Sequence, residues 1–170
     1  RPRRFPRREV TIGDAIERVA ENAHSDTLRG AFRELLGERG TDFKLSEFQV
    51  VASKRLFDCF NNKWSTGTLI SAGTGSGKTL AFYLPVLSRV AEYIVEDGDD
   101  SNWVKCLAVY PKTELLKDQF AEIFREARRL DSFLGDAQRK IRVGAFFGPV
   151  PINGEMLRRY RNEGWQEKPQ

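Results

Sequence analysis

The segment Ala72-Gly73-Thr74-Gly75-Ser76-Gly77-Lys78-Thr79 decides how this chain is read. It stands between a short apolar run, Leu69, Ile70, Ser71 and Ala72, and a long pattern of helical spacing, so a buried strand enters a glycine-rich turn that opens a helix. Glycines at 73, 75 and 77 let the backbone take φ > 0 and approach an anion closely. Successive N–H groups and the positive end of the following helix then converge on it. This is the pattern of a P-loop, in the strand-to-helix setting that such a match requires. Gly73, Thr74, Gly75, Ser76, Gly77, Lys78 and Thr79 would line the cradle, with Lys78 bridging the β- and γ-phosphates and the Thr79 hydroxyl ligating Mg²⁺. ATP and Mg²⁺ are therefore the expected cofactors. Ala72 takes the first position, where Gly is usual, and the neighbouring glycines supply the turn.

Outward from the loop, the period of the apolar residues alternates. A helix is predicted over 77–95, a second buried strand over 104–110 (VKCLAVY), a second amphipathic helix over 114–130 and a third strand over 141–147. Strand, helix, strand, helix, strand implies an α/β fold with a parallel sheet and right-handed crossovers, incomplete within this length. Upstream, Ile12, Ala15, Ile16 and Val19 recur at helical spacing, as do Leu28, Phe32, Leu35 and Leu36, with Gly37 placed to end the second run. A third helix starts after Ser46 as its cap and buries Phe48, Val51, Ala52, Leu56 and Phe60. The expected division is a helical N-terminal segment over 1–44, a nucleotide-binding portion over 45–150 and a polar, Arg-rich tail over 151–170 with a short helix near Glu155 to Arg161. The stretch EDGDDS at 96–101 reads as an exposed loop.

Composition is that of an ordinary globular chain: 170 residues, 40% apolar, enough for a core of its own. No apolar run approaches the roughly 18 residues that span a bilayer, and no signal peptide follows the basic start, so a cytoplasmic location without membrane contact is expected. Cys59 and Cys106 lack metal-ligand spacing and are expected as buried, reduced thiols. The net charge of +4 is compatible with a polyanionic partner. Five arginines fall within residues 1–8, a cluster suited to phosphates or to a solvated, disordered terminus.

The wider sequence resembles the first motor domain of superfamily 2 helicases, the group that includes the DEAD-box and DEAH-box proteins. The stretch AGTGSGKTLAFYLPVL, residues 72–87, is similar to that family's loop and following helix through to Pro85, and Phe48-Gln49 followed by Ala52 looks like its adenine-sensing glutamine motif. Pro111-Lys112-Thr113-Glu114-Leu115-Leu116-Lys117-Asp118-Gln119 resembles its strand-end motif, and Gly148 the glycine of its next contact loop. The resemblance implies a RecA-like sheet, ATP-driven movement on nucleic acid and backbone contacts from Lys112, Thr113 and Gly148. Gln49 also has a plainer role, since Ser46 and Gln49 have the spacing of a capping box. Thr113, in the same way, could simply cap the helix opened by Glu114.

Two departures matter. The spacing from Gln49 to Ala72 is longer than in DEAD-box proteins, and the usual Pro-Thr-Arg is Pro111-Lys112-Thr113, which points towards large, divergent DNA-directed members such as those of bacterial phage defence. DNA is the preferred partner, with RNA as the alternative; further motor domains of a longer chain and other defence-system subunits are the other expected partners. No Asp-Glu pair follows an apolar strand after Gly148, and Glu96-Asp97 lies on the wrong element. The acidic Mg²⁺ ligand and arginine finger that phosphoryl transfer needs are thus expected outside this sequence, leaving these 170 residues inactive alone. Two other classes remain open: a P-loop ATPase that is not a helicase, and a nucleotide-gated scaffold without hydrolysis of its own.

Overall fold

The computed structural model describes residues 6–40, 42–62, 67–73, 75–96, 103–135 and 139–146, with Glu155, Met156 and Arg158 of the tail. In chain order the elements are β1 (Arg8–Thr11), α1 (Ile12–Ala20), α2 (Asp26–Gly37), β2 (Lys44–Ser46), α3 (Glu47–Asn61), α4 (Lys78–Glu96), α5 (Thr113–Arg129) and α6 (Asp131–Leu134).

Local chemistry sets the helix starts. Thr11 Oγ1 accepts from the Asp14 N–H at 3.2 Å and opens α1; Ser25 Oγ accepts from the Leu28 N–H at 3.0 Å and opens α2. Each satisfies a donor that the first helical turn leaves without a partner. The apolar stripes then pack together. Phe32 of α2 meets Phe57 of α3 edge to face at 5.5 Å, and Leu84, Leu87 and Ala91 of α4 close over them in one core with Leu28, Leu35 and Val50. Pro85 is fully buried inside α4.

Polar clasps lock this packing. Glu92 of α4 is 1% exposed yet accepts hydrogen bonds from Ser25 Oγ and Arg89, with His24 Nε2 at 3.0 Å. Ser25 therefore serves two elements: it caps α2 and fastens the α1–α2 turn to α4. A second clasp joins the end of α2 to α5, where Arg39 bonds to Glu126 and Arg129 lies 3.3 Å from Glu38. A third joins α1 to the first turn of α3 through Arg18 and Glu47, whose carboxyl the Arg18 hydrogen bond holds below its ordinary value.

The sheet differs from expectation. Among the described residues the only ladder is an antiparallel ribbon in which Arg8 pairs with Ser46, Val10 with Leu45 and Thr11 with Lys44. A bulge between Arg8 and Val10 leaves Glu9 as the extra residue. The stretches 68–72, 104–110 and 141–146 carry no ladder, and Leu69, Leu107 and Val109 are 95%, 81% and 82% exposed. A buried parallel strand needs neighbours on its edges and helices over its faces, whereas α4 places its apolar face on α2 and α3. The described residues are mostly helical, and among them the expected parallel sheet is not seen.

The thiols are likewise not both buried: Cys59 is half-buried and Cys106, on one of these unladdered stretches, is exposed. Both are free. Among the described residues no helix is long and apolar enough to cross a membrane. The acidic stretch after Glu96 and most of the 155–161 segment lie outside the described residues.

Candidate functional site

The glycine-rich turn has the backbone its sequence demands. Gly75 and Gly77 take φ of 76° and 85°, and among the described residues no non-glycine residue has positive φ. A side chain at either position would meet the steric cost of the left-handed region. The Ser76 N–H donates to the Gly73 carbonyl at 3.3 Å and closes the turn. Lys78, the first residue of α4, folds back so that its ammonium donates to the carbonyls of Ala72 at 2.7 Å and Gly73 at 2.8 Å. The loop is thus wrapped around a cation at the positive end of a 19-residue helix.

The far side of the loop is held from α3. Gln49, 1% exposed, donates from Nε2 to the Gly77 carbonyl at 2.9 Å and accepts at Oε1 from the Ser46 N–H at 2.8 Å. One side chain therefore closes its own helix start and clamps the loop. Gly77 has no room for more: a Cβ there would lie 2.7 Å from Gln49 Nε2 and 3.7 Å from a terminal guanidinium nitrogen of Arg8. Ser76 is 5% exposed, and its hydroxyl has no hydrogen-bond partner among the described residues.

A triphosphate fits these residues. The turn offers backbone N–H groups, a lysine ammonium and a buried hydroxyl lacking a partner, in a cradle that stays open because Gly75 and Gly77 lack side chains. Thr79, half-buried next to Lys78 on the first turn of α4, offers the hydroxyl suited to Mg²⁺.

A hydroxyl pair links this helix to the downstream motif. Tyr83 of α4, 2% exposed, hydrogen-bonds through its phenol to that of Tyr110, the residue before Pro111. Burial, then that hydrogen bond, pushes the Tyr83 phenol well above its ordinary value. Lys112 and Thr113 are exposed at the start of α5. Lys112 occupies the cap position, its carbonyl accepting from the Leu116 N–H at 3.0 Å, and makes no side-chain cap. Thr113 is already helical, so it is not the cap that its residue type suggested. Thr74 and Gly148 lie outside the described residues, and Glu96 ends α4.

Sequence reasoning missed Arg8, which the ribbon brings to the Gly77 flank. The signal was present in the β-branched Val10 and Thr11 that follow it, but five arginines in eight residues dominate the composition there.

Known proteins resemble this sequence. A stretch of 109 residues is 30% identical to Druantia protein DruE of Escherichia coli strain UMEA 4076-1, covering 57% of this chain and 6% of that protein. The chain thus spans a small fraction of that relative's length. No solved structure matches. The sequence profile of the DEAD/DEAH box helicases matches residues 49–152, from the glutamine that clamps the loop to beyond the third apolar stretch. With more than half of its length matched, the chain belongs to the DEAD/DEAH box helicase family.

Proposed function

We propose that this chain carries the ATP-binding portion of an ATP-dependent helicase or translocase acting on DNA. One observation carries this: a turn with two left-handed glycines closes around the Lys78 ammonium at the head of α4. Bound ATP supplies a γ-phosphoryl group whose transfer to water changes the fit between motor domains. In that chemistry Lys78 neutralises the phosphate charge, the loop N–H groups and Ser76 orient it, and Thr79 holds the metal ion. Gln49 keeps the loop in register with α3, and adenine contact belongs to the same proposal for it. The acidic pair and the arginine finger come from elsewhere in a longer protein, so the 170 residues alone bind nucleotide without steady turnover.

The apolar stretches at 68–72, 104–110 and 141–147 suit a RecA-like parallel sheet in that longer protein. The alternating exposed Leu107 and Val109 support such a role. Lys112, Thr113 and Gly148 contact the nucleic-acid backbone. DNA as the substrate, a defence role and a cytoplasmic setting belong to the same proposal, and the chain's likeness is to Druantia protein DruE.

Calorimetric titration with a non-hydrolysable ATP analogue tests the site. Wild type binds, and Lys78→Ala does not, while both melt at the same temperature. Equal affinities would overturn the proposal.

A further inference from the structure

Positive charge gathers at the loop beyond what Lys78 and the head of α4 supply. Arg8 stands on β1, directly across the ribbon from Ser46, whose N–H is bonded to Gln49. Gln49 in turn holds Gly77, and a guanidinium nitrogen of Arg8 comes within 3.7 Å of the position a Cβ on Gly77 would take. Ribbon register, helix cap and loop therefore fix Arg8 at this flank through one continuous set of bonds.

The bulge at Glu9 sets its direction. It lets Arg8 and Glu9 both face outward while Val10 enters the core, and bulges commonly re-aim a side chain in this way beside functional sites. The neighbouring Glu9 pairs with Arg7 at 3.5 Å. Among the described residues neither Arg8 nor Lys78 has an acidic partner; the ion pairs near the ribbon are Arg7 with Glu9 and Arg18 with Glu47. Two cations and a helix N-terminus held together repel one another unless an anion joins them.

We infer that Arg8 is a nucleotide-contacting residue, a guanidinium delivered by the N-terminal ribbon to the Gly77 flank of the phosphate loop. Its planar fork suits bidentate bonding to phosphate oxygens, and its charge completes the neutralisation that Lys78 begins. This rests on the nucleotide-binding role proposed for the loop. It also makes the ribbon part of the site.

The test is titration of the 170-residue chain with a fluorescent, non-hydrolysable ATP analogue for wild type, Arg8→Ala, Arg8→Glu and Arg7→Ala. Arg8 is exposed, so melting temperatures should match wild type. Arg8→Ala should weaken binding about tenfold, the worth of one charge-assisted hydrogen bond, and Arg8→Glu more. Arg7→Ala, which removes the same charge one residue away, should stay within about twofold of wild type. Arg8→Ala at wild-type affinity, or Arg7→Ala as weak as Arg8→Ala, overturns the assignment of Arg8. A wild type that binds nothing overturns the nucleotide role of the loop itself, and Arg8 with it.

Discussion

Gln49 and Gly77, 28 positions apart, are joined by a 2.9 Å hydrogen bond from the side-chain amide to the backbone carbonyl. Because the same amide's oxygen holds the Ser46 N–H, the start of α3 and the phosphate loop cannot shift independently. Gln49→Ala leaves the buried Ser46 N–H and the part-buried Gly77 carbonyl without this partner, which costs about 1–3 kcal/mol. The loosened loop should bind ATP and GTP analogues about five- to tenfold more weakly, and to a similar degree. Parallel titrations with both analogues check this; a loss confined to ATP would make Gln49 an adenine contact first and a clamp second.

Removing the Glu92 carboxyl should be felt across the whole core. Glu92→Ala strips Ser25 and Arg89 of their shared acceptor and unfastens the α1–α2 turn from α4. Loss of one partner of a buried ion pair costs about 3 kcal/mol. Urea unfolding should show a lower midpoint, and the effect should exceed that of Glu21→Ala, whose pair with Lys54 at 3.7 Å is exposed.

Tyr83 gives the chain an alkaline limit. Its pKa is raised in the folded state, by burial and by Tyr110, so the folded chain holds the phenolic proton more tightly than the unfolded chain. The resulting stability is complete below the ordinary tyrosine value of 10.0 and is lost as pH rises above it. Tyrosinate absorbance should therefore show one of the four tyrosines ionising only together with unfolding. Tyr83→Phe should abolish that late step.

For nucleic acid, the exposed pair at the head of α5 makes a salt-dependent prediction. Lys112→Ala with Thr113→Ala in the full-length protein should weaken single-strand binding about tenfold, without sequence preference. Fluorescence anisotropy against salt should show a slope shallower by about one, for the single cation removed. An unchanged affinity and slope would take this loop out of the strand's path.

The helices were legible because their signal is local. Expected spans of 77–95 and 114–130 became Lys78–Glu96 and Thr113–Arg129, and Ser46 stands at the N-cap position of α3 where its residue type put it. Pairing is a different matter. The ribbon joins Arg8 to Ser46 across a bulge, and nothing in either segment states its partner or register. The strands expected at 68–72, 104–110 and 141–147 were inferred from apolar runs, which specify a wish for burial and not the neighbour that provides it. The loop itself was readable residue by residue, since positive φ at Gly75 and Gly77 is a demand only glycine meets cheaply. The Gly77–Gln49–Arg8 contact was not, because it needs three elements to meet.

The burial of the α4 face by α2 has a practical corollary for anyone trimming this chain. A fragment beginning at residue 45, after α1 and α2, would leave Leu84, Leu87 and Ala91 facing water on one side and would unseat β2 from its only strand partner. It would also leave Glu92 without Ser25 and His24. Such a fragment would keep every residue of the phosphate loop and still come out of the cell as inclusion bodies. Helices α1 and α2 act as the cladding without which the nucleotide-binding helix is an adhesive surface.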